Sequence, residues 1–442
     1  MRHFCHNFGL MGRLALLLAA LAGLAGCSVN PISGMPEINI LPQSRQIELG
    51  AQAMDAVTQV HYGLVPDDPD LQLYVAQVGQ RLAATSLRPN LPWEFRVVND
   101  GVRNIYALPG GKIVIPRGML RELNSEGELA AVLAHAIGHV EGGHSVSFLN
   151  LEFATAFNAA ASGKPYQIRP DEQKAQSVGG TWSGRLYVIR FNTWDESQAE
   201  KAAFANLVRN GYYPLDGVSL WGRLLGRLKR ESWRDLDSCG PLFTAHPMNE
   251  KVLQESRERA AREMLIPVDR ERRQADFDKA MSRQSARARA YFLQARADQF
   301  VELGIPDMAE DFYAQSIAAF DRDQRVHARL AQFLLKRGRY SEALREAKIA
   351  RELAPGLFFA WLAEGIAYLK LAEDEQAVAS LEKAQSLMPT QLECKLYLGE
   401  AYERVGQKMP AVIAYRKVAL SDEGDLGRAA HERLVAMGYW IY

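Results

Sequence analysis

This 442-residue sequence contains only four cysteines and has no net charge. Lysine and arginine together number 52, as do aspartate and glutamate, so the formal net charge at pH 7 is zero. This balance provides no overall basic surface for nucleic acid and no acidic tail, and we expect no nucleic acid partner. Hydrophobic residues make up 48% of the chain, which is enough for the cores of two or three globular domains.

The start of the chain has an apolar run, but this run is shorter than a stable membrane span requires. The run, at residues 14–25, follows Arg2 and Arg13 and precedes small residues. This order is typical of a secretory signal, which we predict at residues 1–26.

The predicted signal ends in Leu-Ala-Gly-Cys, which resembles the lipobox of bacterial lipoproteins. We predict that Cys27 is lipidated, with ordinary cleavage beside an incidental cysteine as the alternative. Ser28 stands where an aspartate would retain such a protein in the inner membrane, so the expected location is the periplasm, anchored to the outer membrane. Cys239 and Cys394 are then the remaining thiols in an oxidising compartment, where they either pair or stay buried.

Two histidines four residues apart, His135 and His139, occupy an apolar segment that predicts a buried helix. Ser125 and Glu128 form a capping-box pattern at its start, and the glycine pair at 142–143 marks its expected end. At 3.6 residues per turn the two imidazoles face the same side and can share one metal ion. This is half of the His-Glu-x-x-His zinc site, although two buried, hydrogen-bonded imidazoles are the alternative.

The glutamate of that pattern is absent, because position 136 is Ala136. In zinc peptidases this glutamate is the general base and not a ligand, and such a base typically contributes about 10² to 10⁴ in rate. Glu141 lies about 140° around the helix from position 136 and does not replace it. We therefore expect zinc binding to persist and hydrolysis to be poor.

Upstream and downstream segments complete the first domain. Residues 93–98 alternate as a half-buried strand, and residues 105–115 predict a hairpin that turns at Pro109-Gly110-Gly111. Residues 196–211 predict a second helix that ends at a glycine.

The last third of the chain repeats every 34 residues. Small residues recur in two series with this spacing: Ala309, Ala343, Ala377 and Ala411, and Ala297, Ala331, Gly365 and Gly399. Trp361 stands at the tryptophan position of the tetratricopeptide pattern, so we predict stacked helix pairs with small residues where paired helices touch. The expected divisions are a tether at 27–42, a metallopeptidase-like domain at 43–275, repeats at 286–425 and a C-terminal tail at 426–442.

Three blocks resemble successive motifs of the HtpX and BepA-like zinc metallopeptidases: residues 104–118, 126–144 and 196–214. With the repeats, the resemblance to the BepA-like branch covers about residues 40–442. It implies a Zn²⁺ cofactor with Glu196 as the third ligand, at the start of a Glu-x-x-Ala-Asp-like motif. Here Glu200 replaces the usual aspartate and Ala203 the following glycine, departures that affect the side chains orienting the ligand histidines.

The same resemblance implies that His246 lies over the metal in the resting state, although a structural histidine before proline is the alternative. It also implies that an extended substrate adds to an edge strand formed by Asn104, Ile105, Tyr106, Ala107, Leu108, Pro109 and Gly110. Clients would be unfolded or misassembled outer-membrane proteins, and the repeats would dock on the outer-membrane assembly machinery.

The predicted fold class is mainly α: a helical zinc-metallopeptidase domain with a small β-sheet at the cleft, followed by an α-solenoid of tetratricopeptide repeats. One functional hypothesis is a membrane-anchored zinc endopeptidase that binds zinc and peptide but hydrolyses poorly. The other is a pseudopeptidase that acts as a chaperone or adaptor through the same groove. Ala136 is consistent with an engineered trap as well as with a natural pseudopeptidase, and a purely structural repeat scaffold is a third interpretation.

Overall fold

The computed structural model describes residues 26–39, 41–150, 189–230, 240–262, 270–422 and 424–439. Most of the predicted signal segment lies outside these ranges, and so does Cys239. Cys394 is buried, and whether it pairs with Cys239 stays a prediction. Within the described ranges, no helix combines the length and the apolar character needed to cross a membrane.

The first domain combines two small sheets with a set of helices. Its strands are β1 (Gly26–Val29), β2 (Pro36–Asn39), β3 (Glu94–Val98), β4 (Tyr106–Leu108) and β5 (Lys112–Pro116). Its helices are α1 (Gln43–Val60), α2 (Pro69–Ala84), α3 (Arg117–Leu120), α4 (Glu126–Glu141), α5 (Thr193–Arg209), α6 (Pro214–Leu228), α7 (Gly240–Ala245), α8 (Glu250–Arg262) and α9 (Arg270–Ala286). Strands β1 and β2 form a hairpin within the predicted tether, and Asn30 beside it donates a hydrogen bond to Gly142 O at 3.0 Å.

The three-stranded sheet has the order β3–β5–β4. Strands β4 and β5 are antiparallel around a turn in which Gly110 and Gly111 have φ of 69° and 83°, values that favour glycine, so the predicted hairpin is confirmed. The edge strand predicted at residues 104–110 contains β4, which lies at one edge of this sheet. Strand β5 is central because β3 pairs with its other side in parallel, and β4 alone forms that edge.

Helix α4, which carries His135 and His139, is buried along nearly its whole length, as predicted. Only half of the predicted capping box forms. Ser125 Oγ accepts from the Glu128 N–H at 3.1 Å, but the Glu128 carboxylate accepts from the Asn124 N–H at 2.8 Å instead of from Ser125. Arg223 on α6 donates to the same carboxylate at 2.6 Å, so this glutamate ties α4 to its neighbour.

The C-terminal half is an array of paired antiparallel helices. They are α10 (Ala288–Glu302), α11 (Pro306–Ala319), α12 (Gln324–Lys336), α13 (Tyr340–Leu353), α14 (Phe358–Lys370), α15 (Asp374–Leu387), α16 (Leu392–Arg404), α17 (Lys408–Ser421) and α18 (Asp425–Ala436). Helices α11, α13, α15 and α17 begin 34 residues apart, which confirms the predicted repeat array. The segment predicted as a tail contains α18, whose Leu434 is buried in the last apolar cluster.

The array packs back against the first domain through specific hydrogen bonds. Gln59 at the end of α1 donates to Gly356 O at 2.8 Å and accepts from the Phe358 N–H at 2.9 Å. Asn99 donates to Asp323 at 2.6 Å in a buried contact. The end of α1 and the loop after β3 therefore form the surface that receives the repeats.

The small residue at position 399 is required by the packing of α16 on α17. A Cβ there would lie 2.7 Å from Tyr415 Cε1, so we expect Gly399→Leu to lower the free energy of unfolding by about 1–3 kcal/mol through overpacking. Gly356→Leu is the matched control, since an added Cβ at 356 meets no atom within 4 Å. Urea unfolding of the two variants measures the difference, and equal stabilities would contradict the packing argument.

Candidate metal centre

The centre lies where helices α4 and α5 make their closest approach. Gly138 makes this approach possible, because a Cβ at that position would lie 2.5 Å from Ala199 O and 2.9 Å from Ala199 Cα. Asn192 and Asp195 form a full capping box at the start of α5, which fixes the first turn of that helix. Glu196, one residue later, is therefore held against the histidine-bearing face of α4.

Four buried side chains converge at this point: His135, His139, Glu196 and His246, whose candidate ligand atoms all lie within 4.8 Å of one another. His135 Nε2 is 3.1 Å from His139 Nε2 and 3.3 Å from His246 Nδ1. Glu196 Oε2 is 3.4 Å from His135 Nε2, and Glu196 Oε1 is 3.3 Å from His139 Nε2 and 3.1 Å from His246 Nδ1. Tetrahedral zinc with bonds of about 2.0–2.1 Å separates its ligand atoms by about 3.3 Å, so the spacing fits such an ion.

The protonation pattern also fits a cation. His246 Nε2 lies 3.2 Å from Ile105 O, and since a carbonyl only accepts, Nε2 carries the proton and Nδ1 presents a lone pair. Likewise His135 Nδ1 lies 3.2 Å from Glu200 Oε2, so in the neutral ring, the form that binds a metal, His135 Nε2 is the acceptor that faces the centre. Glu196 Oε2 is buried and has no hydrogen-bond partner among the described residues. Acceptor atoms that converge without donors are what a bound metal ion satisfies.

A second chain of contacts orients His139, and it includes His144, which follows the glycine pair at 142–143. His139 Nδ1 and His144 Nδ1 are 2.9 Å apart, and His144 is buried. If His139 Nε2 faces a metal, its Nδ1–H donates to His144, which then carries its own proton on Nε2. That atom lies 3.9 Å from Asp195 Oδ1, and burial lowers the pKa of His144 to about 4, so the ring is neutral.

Phe191 is a further contributor that no sequence motif indicated. Its ring stacks on His139 with a centroid distance of 3.8 Å and an interplanar angle of 23°. Its backbone N–H donates to Ala245 O at 2.9 Å, which fixes the residue before His246. A lone phenylalanine outside the histidine motif carries no local signal, so only the tertiary contact identifies it.

Burial couples the charges of these side chains. Burial alone would lower the pKa of His135, but Glu196 and Glu200 outweigh it and raise that pKa to about 9. Burial lowers the pKa of His139 well below its usual value. Burial would raise the pKa of Glu196, but His246, His139 and His135 hold it well below its usual range. At neutral pH His135 is therefore the protonated ring, and a metal ion would have to displace that proton.

Position 136 contributes no polar group to the centre. Ala136 is fully buried and belongs to the main apolar cluster of the first domain. The Glu200 carboxylate contacts His135 Nδ1, the ring nitrogen opposite to the converging atoms, so it does not replace the missing base. The arrangement can bind a metal ion but, among the described residues, provides no glutamate in the general-base position.

The edge strand beside the centre already has partners for two of its carbonyls. Ile105 O accepts from His246 Nε2 at 3.2 Å, and Ala107 O accepts from Ser145 Oγ at 2.6 Å. Tyr106 and Leu108 in β4 are buried, as is Asn104 before the strand, and Pro109 and Gly110 lead into the hairpin turn. An incoming peptide would need to displace His246 and Ser145 to pair with this edge.

Comparisons with known proteins agree with this geometry. Residues 69–260 match the sequence profile of peptidase family M48. The beta-barrel assembly-enhancing protease of Escherichia coli K12 is 24% identical over 375 residues, or 81% of this chain and 70% of that protein. A Vibrio cholerae protein of similar description is 28% identical over 200 residues, and this match spans 44% of the chain and 40% of that protein's length.

Other similarities cover single parts of the chain. The mitochondrial metalloendopeptidase OMA1 of Schizosaccharomyces pombe is 38% identical over 117 residues, which is 25% of this chain and 35% of that protein. Among solved structures, the Pseudomonas aeruginosa pilF structure covers 38% of this chain and 76% of its own, with a TM-score of 0.31 and 23% identity.

We expect Gly138→Ala to weaken zinc binding by about tenfold or more, because α5 must move away from α4 and take Glu196 with it. Competition with a chromophoric chelator measures the affinity, and circular dichroism checks the fold. Gly222→Ala on α6 is the matched control, since an added Cβ there meets atoms only at 3.6 Å or more. Equal affinities of the two variants would show that Gly138 has no part in positioning the ligands.

Zinc binding to the metal-free protein at pH 7 should release about one proton, since the pKa of His135 is about 9 and a metal needs the neutral ring. The affinity should accordingly rise with pH until His135 loses its proton in the metal-free protein. Calorimetry in buffers of different ionisation enthalpy counts the proton. Glu200→Gln should reduce the release at pH 8, because it removes one of the two carboxylates that raise this pKa. Identical apparent enthalpies in all buffers would contradict the assignment.

Proposed function

We propose that this chain is a zinc-binding, peptidase-type protein that acts in quality control or assembly of outer-membrane proteins. The match of residues 69–260 to the profile of peptidase family M48 supports this proposal. The observation that carries the proposal is the convergence of His135, His139 and Glu196 beside the edge strand β4. In this chain Ala136 leaves zinc and peptide binding in place and makes hydrolysis poor. The proposed activity is that of a metalloendopeptidase with an impaired chemical step.

His135, His139 and Glu196 would hold the zinc ion. A zinc ion so held supplies Lewis-acid chemistry for the attack of water on a peptide carbonyl. Glu200 positions His135, and His144 positions His139, through the ring nitrogens that face away from the centre. These outer contacts fix which nitrogen of each ring is offered to the metal.

His246 acts as a latch in this proposal and is not merely a structural histidine. Its Nδ1 lies at hydrogen-bond distance from Glu196 and His135, in the position where a fourth ligand belongs. Its Nε2 bonds Ile105 O at the edge strand, so one side chain covers both the metal and the substrate edge. Substrate binding then requires His246 to leave both positions together.

Substrate would bind as an added strand along residues 104–110. Strand β4 is an edge of its sheet, and main-chain pairing there gives a grip that tolerates many sequences. The carbonyls of Ile105 and Ala107, now bonded to His246 and Ser145, are the acceptors that such a peptide would use. This suits unfolded or misassembled outer-membrane proteins as clients.

Anchoring and docking follow from the two ends of the chain. We propose that the chain is a periplasmic lipoprotein of the outer membrane, attached through Cys27. This rests on the lipobox-like sequence and on the role in beta-barrel assembly that the name of the Escherichia coli relative gives. The repeat array would contact the outer-membrane assembly machinery.

A second candidate is a pseudopeptidase that serves as a chaperone or adaptor through the same groove. The complete burial of Ala136 within the apolar cluster favours it, because the position is packed as part of the core. Glu200 in place of the family's aspartate is consistent with drift after loss of catalysis. Both candidates predict zinc and peptide binding, and they differ in what a restored base would do.

Restoring the base tests the proposed function. Ala136→Glu should raise zinc-dependent hydrolysis of an unfolded protein such as casein by about 10² to 10⁴, the usual contribution of a general base. Ala136→Gln is the matched control, since it has nearly the same size without the base and should stay inactive. Metal content is measured on all three proteins. An Ala136→Glu protein that binds zinc and remains inert would favour the pseudopeptidase instead.

A further inference from the structure

A cavity of about 260 Å³ lies where the first domain meets the first helices of the repeat array. Four arginines line it: Arg117 and Arg121 from the first domain, and Arg325 and Arg329 from the array. This arginine cavity is separate from the metal centre, since none of the converging ligands lines it.

The carboxylates in its wall are largely engaged with partners. Asp298 accepts from Arg325 Nη2 at 2.7 Å and from Arg329 Nε at 2.8 Å. Asp100 lies 2.8 Å from His61 Nδ1 and 3.7 Å from Arg325. The third carboxylate of the wall, on Glu302, is exposed to solvent. The carboxylates of the protein therefore neutralise Arg325 and Arg329, but the part of the wall that carries Arg117 and Arg121 has less negative charge beside it.

Arg117 forms no hydrogen bond to a carboxylate among the described residues. It is 1% exposed, and it donates to two neutral amides, Asn99 at 2.5 Å and Gln294 at 3.0 Å. Among the described residues, the only carboxylate within 4.0 Å is that of Asp323, at 4.0 Å. The Tyr291 ring covers one face of the guanidinium at 3.4 Å, but Nη1 has no hydrogen-bond partner in the described part of the chain.

A buried guanidinium without a hydrogen-bonded anion is unfavourable, and burial lowers the pKa of Arg117 accordingly. For Arg325 the balance is different, because Asp298 and Asp100 outweigh the effect of burial and raise its pKa. Even so, Arg325 Nε has no partner among the described residues. Arg121 is half-buried in the same wall and makes no ion pair with the described residues.

We propose that the arginine cavity is a binding site for a small oxyanion, a phosphate or a carboxylate, that bridges the first domain and the repeat array. Guanidinium groups present planar pairs of N–H donors that match the oxygens of both anions. Arg117 and Arg121 approach from the first domain and Arg325 from the array, so one ligand contacts both. Water can fill a polar cavity of this size and satisfy the free N–H groups, but it adds no negative charge, so Asp323 at 4.0 Å remains the nearest carboxylate to Arg117 among the described residues.

The test is the thermal stability of the full chain in sodium phosphate and in sodium succinate, each compared with sodium chloride at equal ionic strength and neutral pH. We expect a saturable rise in the melting temperature with at least one of the two anions. Stabilisation by phosphate alone assigns a phosphate site, and stabilisation by succinate alone assigns a carboxylate site. No rise beyond that in chloride would overturn the proposal.

Arg121→Gln is the main variant, because this half-buried side chain can change without leaving a buried partner unpaired. It should weaken binding of the stabilising anion about tenfold or more, as expected for the loss of a charge-assisted hydrogen bond. Arg416→Gln, an exposed change on α17, is the matched control and should bind as the unchanged protein does. Equal anion binding in the two variants would place the stabilising anion elsewhere and overturn the assignment.

Arg117→Lys is a second, independent test of the arginine cavity. It keeps the positive charge and loses the fork of donors, so a folded Arg117→Lys protein should also bind the anion more weakly. Circular dichroism establishes whether this variant is folded. If it is unfolded, the anion binding of the Arg121→Gln protein alone decides whether the proposal holds. Unchanged binding in a folded Arg117→Lys protein would likewise overturn the proposal.

Discussion

The convergence of lone pairs between helices α4 and α5 is the constraint on which the rest of the first domain depends. His135 Nε2, His139 Nε2, His246 Nδ1 and the Glu196 carboxylate face one point at separations of 3.1–3.4 Å. Acceptors held this close repel one another unless a proton or a metal ion lies between them. The close helix crossing at Gly138 and the capping box at the start of α5 hold these groups together, and either the proton on His135 or a bound cation relieves their repulsion.

Binding and chemistry are separable in such a centre because they use different atoms. The ligand atoms are fixed by ring orientation, and each ring is oriented from its far side, His135 by Glu200, His139 by His144 and His246 by Ile105 O. Position 136 takes part in none of these contacts. In the proposed zinc site, a change confined to that side chain would remove the proton-transfer group and leave the arrangement of the candidate ligands unchanged.

Local patterns in the sequence predicted what local interactions determine. The hairpin at Gly110-Gly111, the histidine helix and the 34-residue repeats depend on neighbouring residues or on a repeated contact, and all three are present. The order of the strands was not predictable in this way, because β5 becomes central only through pairing with β3. The partner of Glu128, the contact of His144 with His139 and the unsatisfied Nη1 of Arg117 were not predictable either. Each depends on the placement of residues in the fold, which local spacing does not determine.

One chain of buried and partly buried polar contacts joins the repeat array to the edge strand. Arg325 of the array lies 3.7 Å from Asp100, Asp100 is 2.8 Å from His61 Nδ1, and His61 Nε2 is 2.8 Å from the Tyr106 hydroxyl on β4. Burial would raise the pKa of Asp100, but Arg325 and His61 outweigh it and keep that pKa low, so the carboxylate is charged. Moving the array away would leave this buried charge with a weaker set of partners, which is costly in a low-dielectric interior. The position of the array and the position of the edge strand are therefore energetically coupled, although Arg325 and Tyr106 lie in different domains.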